Sequence, residues 1–279
     1  MISRIREIHN YNKKQDFRLE VCIDSLESAI NAIHGGADEL EVCSSLAEGG
    51  LTPTTYLFPA KTLCFVQAPK VNVMIRCRTG SDFHYSEEEM DTMLSDVDFL
   101  KELGVDRFVF GALTDTQHID ETNCLKFMHA ACPVPLTFHR AFDVCVDSME
   151  AAKKLVELGF SRLLTSGQKA NANEDDAILL IKLLIKKFGN RLEIMPGAGI
   201  NLHNANTFVD MGSAVALKPA AVVTNQTPIN IALHLSWRYR AVYCRGKMVA
   251  QSSLMMLLRS RENNIRLADD PIIIAMTHV

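Results

Sequence analysis

Eight short apolar segments recur about every 28 residues along the first 218 positions, and several alternate apolar with polar residues. They are FRLEVCI (17–23), DELEVCS (38–44), KVNVMIR (70–76), RFVFGAL (107–113), PVPLTFHR (133–140), SRLLTS (161–166), RLEIMPG (191–197) and SAVALK (213–218). Alternation with a period of two, bounded by turn residues, predicts β-strands. We therefore predict eight strands.

Helical stretches with recognisable ends lie between several of these strands. The predicted helices are 25–34 before Gly35-Gly36, 86–103 before Gly104, 147–158 before Gly159 and 173–188 before Gly189. The second opens with Ser86-Glu-Glu-Glu89, the pattern of a capping box with acidic residues in the first turn. Repeated βα units with right-handed crossovers allow either an open doubly wound sheet or a closed barrel.

The polar faces of the strands favour the barrel. In the first strand Leu19 and Val21 lie on one face, whereas Glu20 and Cys22 lie on the other. An open parallel sheet is covered by helices on both faces, so both should be apolar. No Gly-rich dinucleotide fingerprint follows the first strand. We predict an α/β fold with a (β/α)8 TIM-type barrel over 17–221, preceded by an extension (1–16) and followed by a divergent, poorly ordered tail (222–279).

Composition excludes several classes of protein. The chain is 48% hydrophobic and 22% charged, which suits a globular core. Its net charge is −4, so the chain lacks the excess of basic residues that is typical of a nucleic-acid-binding protein. The longest apolar run is five residues and the N-terminus has no apolar signal segment, so we expect neither a membrane association nor secretion. Eight irregularly spaced cysteines predict reduced thiols in a cytosolic protein.

Polar residues at or near the ends of four strands form the main candidate site: Glu20, Glu41, Arg76 and His139. Active sites of barrels lie at the C-terminal ends of strands. Facing carboxylates, a guanidinium and an imidazole can carry out acid/base chemistry on a small polar ligand. The alternative is a buried cluster of ion pairs in which the charged groups pair only with one another and bind no ligand.

Two cysteines form a second candidate site. Cys22 and Cys43 share the face of the two glutamates, and adjacent parallel strands would place their side chains about 5 Å apart. Two thiols with Met74 one strand away suit Cu(I), although free cysteines are often inert core residues. No CxxC or HExxH motif is present, so we expect no structural zinc site.

Glycine-containing turns after two strands are candidate anion sites. LTSGQ places Ser166 and Gly167 at a strand end, and MPGAGI places Gly197 and Gly199 at the next. Free backbone N–H groups in such turns can bind an anion, or the glycines can serve only the tight turns. Arg140, beside His139, can reach the same pocket only if the strand ends there.

The ordered motifs resemble one family closely, the CutC copper-homeostasis proteins. The matching segments are EVCIDSLESAINAIHGGADELEVCSSLAEGGLTP, VMIRCRTGSDFHYSEEE, GVDRFVFGALT, HIDETNCLKFM, LTFHRAFD, LGFSRLLTSGQ and IMPGAGI. The resemblance implies a (β/α)8 barrel, a homo-oligomer, a location in the cytosol and also the nucleus, and a role in copper handling. It implies that Cys22 and Cys43 bind Cu(I), and that Glu20, Glu41, Arg76, His139 and Ser166 match the shared pocket.

The resemblance stops after Gly212. SAVALKPAAVV stands where the family has an acidic residue and a His, and the residues from Val222 onward carry seven basic and three acidic side chains. We hypothesise a shifted reading frame or an alternative exon from this point.

Two functions follow as expectations. The first is copper homeostasis through Cu(I) bound by the barrel cysteines, with Met74 or a second copy of the chain completing the ligand set. The alternative is a barrel enzyme of the lyase, isomerase or hydrolase type that acts on a small anionic metabolite. In it Glu20 or Glu41 would be the acid/base, Arg76 would hold a carboxylate or phosphate bidentately, and His139 would transfer a proton.

Overall fold

A computed structural model describes residues 18–34, 37–54, 69–201, 204, 207–208, 211 and 216–217. The predicted extension (1–16), the Gly35-Gly36 helix end and the divergent tail (222–279) lie outside the described residues. Within the described ranges no helix is long and apolar enough to span a bilayer.

Strands and helices alternate as the sequence predicts. The strands are β1 (Arg18–Ile23), β2 (Glu39–Val42), β3 (Lys70–Met74), β4 (Arg107–Phe110), β5 (Leu136–Phe138), β6 (Arg162–Thr165), β7 (Glu193–Pro196) and β8 (Ala216–Leu217). The α-helices are α1 (Leu26–His34), α2 (Glu87–Glu102), α3 (Glu121–Ala131), α4 (Ser148–Leu158) and α5 (Asp175–Phe188). Short 3₁₀ helices follow β2 (Leu46–Glu48) and β5 (Arg140–Val144).

The strand order confirms the barrel class. Strands β1 to β7 pair in sequence order, each parallel to the next, and β8 pairs in parallel with β1 through Arg18–Ala216 and Leu19–Leu217. A doubly wound sheet would instead reverse its order at a switch point. The described strands therefore curl into an α/β barrel.

The helix caps explain where the helices begin. The Ser86 side chain accepts the backbone N–H of Glu89, whose carboxylate accepts the N–H of Ser86, so the predicted capping box is present. Helix α3 was not among the predicted helices. It begins at Asp120, whose side chain accepts the N–H of Asn123.

The two faces of each strand divide as the alternation predicts. Leu19, Val21 and Ile23 of β1 belong to the apolar layer between sheet and helices. Glu20 and Cys22 point the other way and are buried, with 0% and 7% of their surface exposed. The polar face is thus the inside of the barrel.

The register between β1 and β2 differs from the one that we predicted. Glu20 lies opposite Glu39, and Cys22 lies opposite Glu41 rather than Cys43. Strands that close into a barrel are staggered, and this stagger shifts each strand relative to its neighbour. Cys22 and Cys43 are therefore not direct cross-strand neighbours.

Candidate functional site

A cavity of about 390 Å³ lies where the barrel strands end. Five of the predicted site residues line it: Cys22, Glu41, Arg76, His139 and Arg140. Residues that were not among the predicted site residues also line it, among them Leu46, Phe83, Asp143, Leu164 and Ala198. The predicted residues Glu20, Cys43, Ser166, Gly167, Gly197 and Gly199 do not line it. The cavity is small, largely apolar and contains a few convergent polar groups, as is typical of a site for a small molecule.

Arg76 follows β3 and is held by backbone carbonyls. Its Nη1 donates to the carbonyl oxygens of Glu48 (2.9 Å) and Gly50 (3.2 Å), and its Nη2 donates to that of Gly80. The side chain is buried, with 6% of the residue exposed. These acceptors are neutral, so they orient the guanidinium without cancelling its charge.

His139 and Arg140 both reach the cavity because β5 ends at Phe138. His139 is the N-cap of the following 3₁₀ helix, and its Nδ1 accepts the backbone N–H of Ala141 at 3.2 Å. This bond leaves the proton of the neutral imidazole on Nε2. A Cβ at Gly111 would lie 2.6 Å from His139 Nδ1, so the glycine at the end of β4 makes room for the ring.

Glu41 is the residue that both predicted copper ligands contact. Cys22 Sγ lies 3.7 Å and Cys43 Sγ lies 3.4 Å from Glu41 Oε1, and each thiol donates to this oxygen. Cys43 is fully buried and packs with Met74. A Cβ at Gly50 would lie 3.1 Å from Cys43 Sγ, and Gly50 has φ 89°, so a larger residue at this position in the loop after β2 would be strained.

Phe83 connects the two sides of the site. Its ring centroid lies 5.2 Å from the guanidinium carbon of Arg76 and 5.0 Å from the ring centroid of His139. The backbone of Phe83 has φ 51°, in the left-handed region that non-glycine residues rarely adopt. The polar loop RTGSDFHYS (78–86) is therefore tied to the cavity through Phe83 and through the Gly80 carbonyl.

Asp143 occupies the turn that we predicted to bind an anion. Its carboxylate accepts the hydroxyl of Thr165 at 2.5 Å, the backbone N–H and hydroxyl of Ser166, and the N–H of Gln168 at 3.3 Å. Gly167 instead donates its N–H to Thr165 Oγ1. The anion held at this turn is the chain's own carboxylate, and a ligand site at Ser166 and Gly167 stays a prediction.

The second glycine turn is also used within the chain. The N–H of Gly197 donates to the carbonyl of Thr165 at 2.9 Å. Gly199 has φ 69°, and a Cβ there would collide with the Asn171 side chain. In the described structure these glycines serve the tight turn, the alternative that the sequence left open.

Glu20 belongs to a separate ionic layer deeper in the barrel. Arg162 Nη1 donates to Glu20 Oε2 at 2.9 Å and to Glu39 Oε2 at 2.7 Å, and its Nε donates to Glu193 at 2.8 Å. Asn72 Nδ2 also donates to Glu20 and to Glu39. The predicted group of four is therefore split: Glu41, Arg76 and His139 share the cavity, and Glu20 does not.

The ionic layer shifts the pKa values of its own members. Burial alone would raise the pKa of Glu39, but the hydrogen bonds and positive charge of Arg162, with help from Asn72 and Arg18, lower it to about 2. Burial and the nearby charge of Arg162 lower the pKa of Arg107 to about 10. Glu39, Arg162 and Glu193 are the first residues of their strands, at the end of the barrel opposite to the one where active sites of barrels lie.

The residue types present limit what metal the site can hold. Among the described residues no group of three or more His, Cys, Asp or Glu side chains is arranged as a metal site. The two thiols and the Met74 thioether are soft donors, which favour Cu(I) over harder cations.

Sequence reasoning missed Phe83 and Asp143 because their roles depend on loop conformation. Within the part of the chain that the structure describes, five non-glycine residues have positive φ and lie in loops that follow strands: Ser45, Phe83, Gln117, Gln168 and Ala198. Strained residues of this kind cluster at functional sites. A phenylalanine in a polar loop and an aspartate after Arg140 were the only signals that the sequence offered.

Comparison with known proteins supports the resemblance. The model of the CutC family matches residues 17–220. A human copper homeostasis protein cutC homolog is 44% identical over 211 residues, which cover 76% of each chain. A CutC family protein from Pasteurella multocida is 45% identical over 192 residues, covering 69% of this chain and 77% of its own.

Solved structures agree on the fold. The crystal structure of a CutC copper homeostasis protein from Streptococcus agalactiae superposes with a TM-score of 0.66 at 31% identity, covering 72% of this chain and 97% of its own. An aldolase, QR15, gives a TM-score of 0.51 at 11% identity, covering 72% of this chain and 88% of its own. The second likeness shows the barrel fold alone.

Proposed function

We propose, since this chain belongs to the CutC family, that it serves copper homeostasis by binding Cu(I) as cargo through Cys22 and Cys43. One observation carries this proposal: both thiols lie within 4 Å of the same oxygen, Glu41 Oε1. The Met74 thioether packs beside Cys43 and supplies a third soft donor. Cu(I) accepts low coordination numbers and prefers such sulfur ligands.

Access to the thiols differs between the two cysteines. Cys22 lines the cavity, whereas Cys43 lies beneath Gly50. Copper would therefore meet Cys22 first and reach Cys43 after a small movement of the loop after β2. The six described cysteines are free thiols, as a reducing cytosol or nucleus requires. We propose those compartments, and a homo-oligomer, as the setting of this function.

Competition with a Cu(I)-selective chelator under anaerobic, reducing conditions tests the proposal. We expect wild type to retain Cu(I), and Cys22→Ser, Cys43→Ser and the double variant to lose it while keeping the wild-type melting temperature. Cys132→Ser is the matched control because Cys132 is exposed and away from the cavity. Unchanged stoichiometry in the double variant would refute the proposal.

A second candidate function has its own support, which is the unused edge of Arg76. A guanidinium has five N–H donors. The bonds from Nη1 and Nη2 to three carbonyls leave Nε–H and one Nη2–H with no acceptor among the described residues. With the Gly80 carbonyl on the outer Nη2 proton, these two donors form one fork, which would fit a carboxylate or phosphate bidentately. We propose that the cavity binds a small organic anion beside Glu41 and His139, which could act as acid and base.

Thermal shift with a panel of small carboxylates and inorganic phosphate tests this second function. We expect at least one anion to raise the melting temperature of wild type and not that of Arg76→Lys, which keeps the charge but loses the fork. The Cys132→Ser variant should respond like wild type, because Cys132 is exposed and does not line the cavity. An anion response that is the same in Arg76→Lys would count against the site.

A further inference from the structure

We infer that the organic anion of the second candidate function carries two oxyanion groups, one held by Arg76 and the other by Arg140. The inference rests on that proposed function and adds the class of ligand. Both guanidinium groups line the same cavity. Each is oriented by contacts within the chain that leave one donor edge unused.

The contacts of Arg140 fix one side of its guanidinium. Nε donates to Asp143 Oδ2 at 2.8 Å, and Nη2 donates to Ser166 Oγ at 3.0 Å. Nη1 and the second Nη2 proton have no acceptor among the residues that the structure describes. These groups form the end-on edge of the guanidinium, a second fork for a planar oxyanion.

Asp143 orients Arg140, and its negative charge does not prevent the cavity from binding an anion. Its carboxylate is surrounded by the hydroxyl of Thr165, the N–H and hydroxyl of Ser166 and the N–H of Gln168, besides Arg140. Its side chain is only 7% exposed. The negative charge of Asp143 is therefore shared among several donors, and Asp143 acts as a positioning residue for Arg140.

The spacing of the two arginines suits two charged groups on one small molecule. Arg76 follows β3 and Arg140 follows β5, so one strand separates them. Adjacent strands lie about 4.8 Å apart, which places the two strand ends roughly 10 Å from each other. The intervening strand, β4, is followed by Gly111. Because glycine has no side chain, the His139 ring can lie beside the end of β4. A cavity of about 390 Å³ holds a dicarboxylate of a few carbon atoms.

Calorimetric titration with matched acids tests the inference. The probes are succinate and glutarate, the monocarboxylates butyrate and valerate of the same chain lengths, and inorganic phosphate as a single compact oxyanion. We expect wild type to bind one dicarboxylate at least about tenfold more tightly than its monocarboxylate partner, as one added charge-assisted contact predicts. In Arg140→Gln this preference should vanish while monocarboxylate affinity stays within about twofold.

Arg191→Gln is the matched control, since Arg191 is exposed and does not line the cavity; it should keep the dicarboxylate preference. Equal affinity of wild type for the mono- and dicarboxylates, or an equal loss for both in Arg140→Gln, would overturn the inference and leave single-anion binding intact. Tighter binding of phosphate than of either dicarboxylate would overturn it in favour of one oxyanion. If none of the probes binds, the second candidate function falls as well.

Discussion

Replacing Glu39 by glutamine should destabilise the barrel in a way that depends on pH. Glu39 is 1% exposed and accepts hydrogen bonds from Arg162 at 2.7 and 3.2 Å and from Asn72 at 2.8 Å. Glutamine has nearly the same shape but no charge, so the substitution removes mainly the interaction of the carboxylate with the arginine.

The magnitude follows from the pKa of Glu39. Burial works against the charge, but Arg162, Asn72 and Arg18 lower the pKa from 4.5 to about 2. Because the folded pKa lies below the unfolded one, the charged form stabilises the fold above pH 4.5. That contribution is lost as pH falls towards 2. A shift of this size corresponds to roughly 3 kcal/mol at pH 7, of which about 2 kcal/mol is lost by pH 3.

Urea unfolding of wild type and Glu39→Gln at pH 7 and pH 3 measures this contribution. We expect the free energy of unfolding of the variant to be lower than that of wild type by about 3 kcal/mol at pH 7 and by only about 1 kcal/mol at pH 3. Glu102→Gln, at an exposed position, should change little at either pH. A penalty for Glu39→Gln that is the same at both pH values would refute the reasoning.

Three further predictions follow from buried groups. Arg162→Met leaves buried carboxylates uncompensated and should lower the free energy of unfolding by about 3–5 kcal/mol in urea titrations; a neutral result would mean that the layer is dispensable. Gly111→Ala brings a methyl group within 2.6 Å of His139 and should lower the free energy of unfolding, measured by thermal unfolding, by about 1–3 kcal/mol. The same substitution should shift the NMR resonances of the His139 imidazole, and unchanged resonances would contradict the packing. Burial and the charge of Asp143 raise the pKa of Cys145 to about 12. In native protein at pH 8, iodoacetamide should therefore label the exposed Cys132 well before Cys145, as measured by mass spectrometry. Labelling in the reverse order would count against the described burial.

Local pattern in the sequence was sufficient for the architecture. The alternation along β1 predicts which side chains face the helices and which face the barrel interior, because successive residues of a strand point to opposite faces. The capping box at Ser86 marks the start of α2, since it is built from residues three positions apart. Strand order followed from the repetition of βα units together with the polar inner faces of the strands, which favoured a barrel over a doubly wound sheet.

The site was predicted only in part. Arg76 and His139 stand at strand ends, and their position along the chain was enough to place them at the cavity. Helix α3 was missed although it carries the signals of a helix: Asp120 caps it, and its buried residues Cys124, Phe127 and Ala131 recur at helical spacing.

Three features were decided only by the tertiary structure. The stagger of the barrel sets Glu20 against Glu39 and Cys22 against Glu41, and no local pattern specifies a stagger that depends on all the strands closing together. Arg162 donates a hydrogen bond to Glu20, which lies 142 positions away in the chain, below the cavity. Asp143 accepts hydrogen bonds from a turn that is more than 20 residues away. What the sequence determined was therefore which face and which end of each strand a residue occupies, because these are properties of single elements. Which residues meet was decided by register and by hydrogen bonds between distant loops, because these form only when the whole barrel is assembled.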